Sequence, residues 1–257
     1  MKKVLILASG GLDSTYLVWD NLNKGNSVTA MYIEITNNHQ KVIVEKKCLL
    51  EQEKVFKTFF PKAEYNLQLD NVSFGVNNMN TDLVFSQMPI WLTSLLFFTN
   101  GFDEIQLGYV MNDDAISYLD EVKSIYNQYK VLCYEKDSFP KLIFPLSKKK
   151  KYEMLRDLSS EFHPLLTFCE WPNVSDNEKI IIPCGNICAA CKRYNYEEIY
   201  KSIMNPSHSV YTITPDLKSD PESEQICSKY SMEQYGVIDQ YNCEVKPYIG
   251  YQFSLNI

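Results

Sequence analysis

Six consecutive residues, Ser9-Gly10-Gly11-Leu12-Asp13-Ser14, stand directly after the first apolar run of the chain and open its first helical pattern. Glycines let the backbone come close to an anion, and a helix start offers unpaired N–H groups and a partial positive charge. Ser9 and Ser14 add hydroxyl donors, so the stretch reads as a phosphate-binding loop. It is not a Walker loop. No Gly-Lys-Ser/Thr occurs anywhere in the chain, and transfer of a γ-phosphoryl group is not the expected chemistry. A second cluster lies far downstream, where Cys184, Cys188 and Cys191 follow Cys169. Four thiolates complete a tetrahedral zinc shell and leave no position for water, which makes such a site structural. Cys227 or Cys243 is open as an alternative fourth ligand. Cys48 falls inside a helical pattern and reads as core, Cys133 is isolated, and His163 and His208 read as packing or surface residues.

The elements that must position the loop follow from periodicity. Residues 4–8 are continuously apolar, as in a parallel strand buried on both faces. Leu17, Val18 and Leu22 then repeat at helical spacing, with Gly25 as a stop. Residues 28–35 predict a second strand, 42–59 a helix and 63–69 a third strand. Residues 87–100 predict a buried helix with Pro89 in its first turn, and 104–109 the next strand. Ile116, Leu119, Val122, Ile125 and Tyr129 mark one face of a helix over 115–132, followed by a strand at 141–144 and a helix at 149–158. Strands alternating with helices imply a doubly wound parallel sheet, an α/β fold whose ligand sits beyond the carboxyl ends of the strands.

Composition narrows the class. The chain has 257 residues, 45% of them apolar, enough for a sizeable core. Its net charge of −7 and pI near 5.1 argue against nucleic acid as the main partner, because neutralising phosphates requires surplus Lys and Arg. Two lysines precede the first apolar run, but that run is too short for a signal peptide, and no segment reaches the ~18 apolar residues of a membrane span. A cytoplasmic, reducing location is expected, in which clustered cysteines hold metal rather than form disulfides.

The string from Ser9 to Ser14 resembles the signature of the PP-loop ATP pyrophosphatases. That resemblance implies cleavage of ATP between its α and β phosphates, with Asp13 near magnesium and the phosphates. Together with the four cysteines, the loop resembles the 7-cyano-7-deazaguanine synthase family over roughly residues 1–195. The family adenylates the carboxylate of 7-carboxy-7-deazaguanine, ammonia gives the amide, and a second ATP drives dehydration to the nitrile. The resemblance implies ATP, magnesium and zinc as cofactors, the zinc on Cys169, Cys184, Cys188 and Cys191. It implies Asp13, Ser14 and Lys151 as catalytic residues, Lys151 lying where the family has Lys-Ala-Glu on a helix start. ATP would meet Ala8, Ser9, Gly10, Gly11, Leu12, Asp13, Ser14, Tyr32, His39 and Gly108. The second substrate would meet Asn112, Asp113, Tyr118 and Asp120. Lys148 to Lys150 read instead as a solvated helix face.

The departures fall around the substrate half. Gln87-Met88-Pro89-Ile90 stands where the family carries Arg-Asn, and Tyr118-Leu119-Asp120 where it has Tyr-Pro-Asp-Cys. The cysteine spacing is looser and a longer tail follows. The expected layout is a nucleotide-binding domain over 1–160, a zinc-binding subdomain over 161–195 and an extension over 196–257 that covers the pocket, builds a homodimer interface or binds a partner. The alternatives are a diverged enzyme joining the deazaguanine to another amine, a non-catalytic nucleotide-binding component of a complex, and a tRNA-modifying PP-loop enzyme.

Overall fold

Val4, Leu5 and Ile6 are completely buried because their strand, β1 (Lys3–Leu7), runs through the middle of a five-stranded parallel sheet. A computed structural model describes residues 1–35, 38–69, 72–74, 87–111, 113–132, 139–174 and 181–182. The sheet is completed by β2 (Ser27–Met31), β4 (Tyr65–Gln68), β6 (Glu104–Gln106) and β7 (Lys141–Ile143), in the order β4-β2-β1-β6-β7. Val4 is in register with Val28 on one side and Glu104 on the other. Successive side chains of β1 point to opposite faces and serve two separate cores. Val4 and Ile6 pack with Leu17, Leu49, Phe56, Met154 and Phe162, contributed by α1 (Leu12–Asn23), α2 (His39–Phe59), α5 (Lys151–Asp157) and a 3-10 turn at Ser160–Leu165. Leu5 packs on the other face with Leu92, Leu95 and Val122 of α3 (Met88–Leu96) and α4 (Leu119–Leu132).

The expected doubly wound sheet is therefore present, and its strand order reverses between β1 and β6. In such sheets the crevice over the carboxyl ends at the reversal is where ligands bind. Pro89 sits in the first turn of α3 as expected.

Several boundaries differ from the periodicity, each for a visible reason. The second strand is cut at Met31, and Glu34–Ile35 (β3) instead pairs in parallel with Ser73–Phe74 (β5) in a sheet of its own. Helix α2 begins three residues early because Asn38 caps it, its side-chain oxygen accepting from the amides of Gln40 and Lys41 at 3.1 and 3.3 Å. The helix expected over 115–132 is a 3-10 turn at Asp114–Tyr118 followed by α4. Strand β6 stops at Gln106, before Gly108, where the chain passes against α1.

Residues 161–170, placed by the sequence reading at the start of a zinc-binding subdomain, pack directly on α1 and α2. Phe162 is fully buried 4.5 Å from the Phe56 ring and 5.6 Å from Trp19, centroid to centroid. Asn173–Val174 (β8) and Ile181–Ile182 (β9) form a small antiparallel pair. Cys184, Cys188, Cys191 and the expected extension over 196–257 lie outside the described residues. Among the described residues no helix is long and apolar enough to cross a membrane.

Candidate functional site

The loop between β1 and α1 is shaped by two glycines. Gly10 has φ +75°, a conformation that L side chains rarely adopt, and a Cβ there would stand 3.2 Å from the Thr167 methyl and 3.3 Å from the Cys48 Cβ. Gly11 caps α1, and a Cβ on it would meet the Thr167 carbonyl at 3.1 Å. The loop closes on itself: the Ser9 amide donates to Ser14 Oγ at 3.3 Å, and that hydroxyl donates to the Gly11 carbonyl at 3.2 Å.

A buried glutamine braces the loop from behind. The Gln52 side-chain amide donates to the carbonyls of Gly10 at 2.9 Å and Leu165 at 2.8 Å, while its oxygen lies 3.0 Å from the Thr15 hydroxyl. The Thr167 amide donates to the same Gly10 carbonyl at 3.0 Å. The segment around 165–167 is thus stitched to the loop, and sequence reasoning missed both Gln52 and Thr167. Their only local signal was a glutamine at a core-facing helix position. Replacing Gln52 by leucine strips these partners from buried polar groups, and we expect a loss of about 3 kcal/mol in stability, read from urea unfolding.

On the far side of the loop, Asp13 and Lys151 meet. Lys151 Nζ lies 2.9 Å from Asp13 Oδ2, both side chains about one-fifth exposed, so two of the three expected catalytic residues are brought together across 138 positions. Gly108 packs on the same turn: a Cβ there would come within 3.1 Å of Asp13 Cβ, 3.2 Å of its carbonyl carbon and 3.3 Å of the Ser14 nitrogen. Loop, ion pair and Gly108 border a cavity of about 980 Å³ over the carboxyl ends of the strands. That volume is at the upper end of the range for small-molecule and cofactor sites.

The cavity's wall toward β2 carries a polar cluster. The Tyr32 hydroxyl donates to Glu45 Oε2 at 2.7 Å, Lys41 Nζ lies 3.9 Å from Glu45 Oε1, and Lys41 also pairs with Glu170. Burial pushes the Glu45 carboxyl up to about 7 from an ordinary 4.5, against the downward pull of Lys41 and the Tyr32 hydroxyl, with Glu170 adding to the rise. Burial, then Glu45, raises Tyr32 well above the usual phenol range. An acid that keeps its proton longer when folded loses stability as pH climbs from its unfolded to its folded pKa. Here that window runs from 4.5 to about 7. We expect a decline on the order of 2 kcal/mol across it that Glu45→Gln abolishes, measured as urea midpoints at pH 5 and pH 8.

The other expected residues are distributed unevenly. Ala8, Ser9, Gly11, Leu12, Asp13, Ser14, Tyr32, Gly108, Asp113, Tyr118 and Lys151 border the cavity, with Gly10 shaping the loop beneath. His39 is exposed at the start of α2, and Asp120 is exposed on α4 beside Lys123; neither borders the cavity. Asn112 lies outside the described residues. Cys169 is a buried cysteine on the cavity wall that forms no disulfide, and among the described residues no cluster of three or more His, Cys, Asp or Glu side chains could hold a metal. Cys48 is core as expected, its thiol pushed up to about 12 by burial. Met88, Pro89, Trp91, Val122 and Ile125 form an apolar wall opposite Glu45 that the sequence reading did not assign.

No family model matches the chain. The protein 7-cyano-7-deazaguanine synthase 2 of Rhodopseudomonas palustris (strain HaA2) is 26% identical over 211 residues, covering 76% of this chain and 96% of that protein. Two solved structures are similar at a lower level. One is a predicted subunit of tRNA methyltransferase from Methanocaldococcus jannaschii, with 15% identity, a TM-score of 0.36 and coverage of 68% of this chain and 80% of that one. The other is NMN synthetase from Francisella tularensis, with 15% identity, a TM-score of 0.34 and coverage of 84% and 89%. The resemblance first carried by the loop and the cysteines thus extends along nearly the whole length of a named synthase.

Proposed function

We propose that this protein uses ATP to adenylate a 7-deazaguanine carboxylate, 7-carboxy-7-deazaguanine, and that ammonia or another amine then displaces AMP. A carboxylate oxygen attacks the α-phosphorus, the bond to the β-phosphate breaks, and pyrophosphate leaves. The amine nitrogen then attacks the acyl carbon, AMP departs with the original carboxylate oxygen, and the nitrogen loses a proton to give the amide. With a second ATP the amide oxygen attacks the α-phosphorus and pyrophosphate leaves; the nitrogen then gives up its two protons as AMP departs with that oxygen, giving the nitrile 7-cyano-7-deazaguanine.

The observation that carries the reading is the Ser9 to Ser14 loop opening on a cavity bordered by Asp13 and Lys151. Backbone amides at the start of α1 suit a leaving pyrophosphate. Lys151 supplies a cation beside it, and electrostatic stabilisation of developing charge is commonly the largest catalytic contribution. A single carboxylate with substrate phosphates is a donor set that magnesium accepts, so Asp13 would hold it, and it would neutralise phosphate oxygens when bound. Zinc on Cys169, Cys184, Cys188 and Cys191 would be structural. The likeness to the Rhodopseudomonas palustris synthase supports the choice of substrate.

The test is to incubate the protein with ATP, magnesium, ammonia and 7-carboxy-7-deazaguanine. AMP and pyrophosphate should accumulate in step with an amide or nitrile seen by mass spectrometry. Release of ADP, or no turnover, would overturn the proposal.

A further inference from the structure

The cavity has two unlike walls flanking the phosphate loop. Toward β6, α3 and α4 it is mostly apolar, with Met88, Pro89, Trp91, Val122 and Ile125 beside the polar Gln87, Asp113 and Glu121. Toward β2 and α2 it presents Ile33 and Ile35 beside the Tyr32, Glu45 and Lys41 cluster. A nucleotide anchored by its phosphates must send its sugar along one of them, and sugar hydroxyls need acceptors. On the second wall the Glu45 carboxylate is held in place by the Tyr32 hydroxyl, with Lys41 nearby.

In the dinucleotide-binding members of the doubly wound folds an acid near the end of the second strand takes a ribose hydroxyl. Glu34 is the acid closest in sequence to that end, but it is turned away, paired with Lys46 at 2.6 Å and accepting from Ser73 at 3.2 Å, and it does not border the cavity. Glu45 reaches the same place from α2. Its backbone carbonyl is 3.5 Å from where a Gly10 Cβ would stand, so it is next to the phosphate loop, and its side chain extends to the Tyr32 hydroxyl just past β2. We propose that Glu45, oriented by Tyr32, is the specificity-determining residue that accepts hydrogen bonds from the 2′- and 3′-hydroxyls of the nucleotide ribose. The inference rests on the ATP-using reading above and adds which part of the nucleotide this wall reads.

The chemistry fits in sign and capacity. A carboxylate repels phosphate oxygens but offers about four acceptor positions, of which the Tyr32 hydroxyl takes one on Oε2. Burial raises its carboxyl to about 7 against the pull of Lys41 at 3.9 Å and the Tyr32 hydroxyl, with Glu170 and the Cys48 thiol the other titratable groups that feel it, so the accepting carboxylate prevails at pH 8, where the titrations are run. Ile33 and Ile35 leave an apolar surface for the base beyond the sugar.

Calorimetric titration of the full chain with ATP, 2′-deoxy-ATP and 3′-deoxy-ATP in magnesium tests this. The intact protein should bind ATP at least about 10-fold more tightly than either deoxy analogue, as expected for a hydrogen bond to a charged acceptor. Glu45→Gln should narrow that preference to within about 2-fold, chiefly by weakening ATP, and Tyr32→Phe should narrow it partway while the carboxylate remains. A wild-type protein indifferent to both hydroxyls, or a Glu45→Gln protein that keeps the full preference, overturns the assignment while leaving ATP use intact. If no nucleotide binds at all, the ATP-using reading falls and this assignment with it. Should Glu45→Gln fail to fold, Tyr32→Phe decides: an unchanged preference counts against the role.

Discussion

Exchanging Lys151 for methionine should lower the proposed ATP-dependent pyrophosphate release by about 100- to 1,000-fold at saturating ATP, the usual cost of removing one preorganised donor from a transition state. The expectation follows from placement. Lys151 is the first residue of α5, yet its ammonium lies 2.9 Å from Asp13 in the first turn of α1, at the edge of the cavity. Its charge is therefore held where a departing pyrophosphate would gather negative charge. Methionine keeps the length and apolar stem of lysine, so packing is largely preserved. Arginine keeps the charge and should retain part of the rate. Urea unfolding of each variant separates a folding defect from a catalytic one, because Asp13 also loses a partner. A Lys151→Met protein within threefold of the parent rate would show that the lysine merely tethers α5 to the loop.

Gly108→Val should weaken ATP binding by at least about 100-fold and destabilise the fold by roughly 1–3 kcal/mol, the ordinary cost of overpacking. The first side-chain atom alone would stand 3.1 to 3.3 Å from Asp13 Cβ, the Asp13 carbonyl carbon and the Ser14 nitrogen. Two of those three are backbone, which cannot rotate aside as a side-chain tip can. The helix start must shift, and with it the amides meant for phosphate. Gly108→Ala should give the same effect in weaker form, and calorimetry with ATP measures both. Normal affinity in Gly108→Val would mean that the phosphates do not lie on the first turn of α1.

What was legible beforehand was whatever is decided by neighbours in sequence. The phosphate loop needs only a strand, two glycines and a helix start within a dozen residues, and a continuously apolar β1 announces a strand covered on both faces. Alternation of strands and helices carried the parallel sheet, since crossovers leave few other ways to bury these faces. Residue chemistry also pointed to Lys151, through a family likeness rather than through spacing.

Tertiary structure decided the rest, because each remaining feature joins residues that the chain separates widely. Glu45 reads as one more polar helix residue until α2 sets it against Tyr32, and His39 reads as a site residue until Asn38, capping α2, leaves it exposed. Gln52 becomes the brace of the loop only once Leu165 and Thr167, more than a hundred residues later, fold back onto Gly10. Local sequence determines which groups a segment can offer. Which of them face one another, and at what burial, is set by how the helices pack on the two faces of β1, and no short-range pattern encodes that.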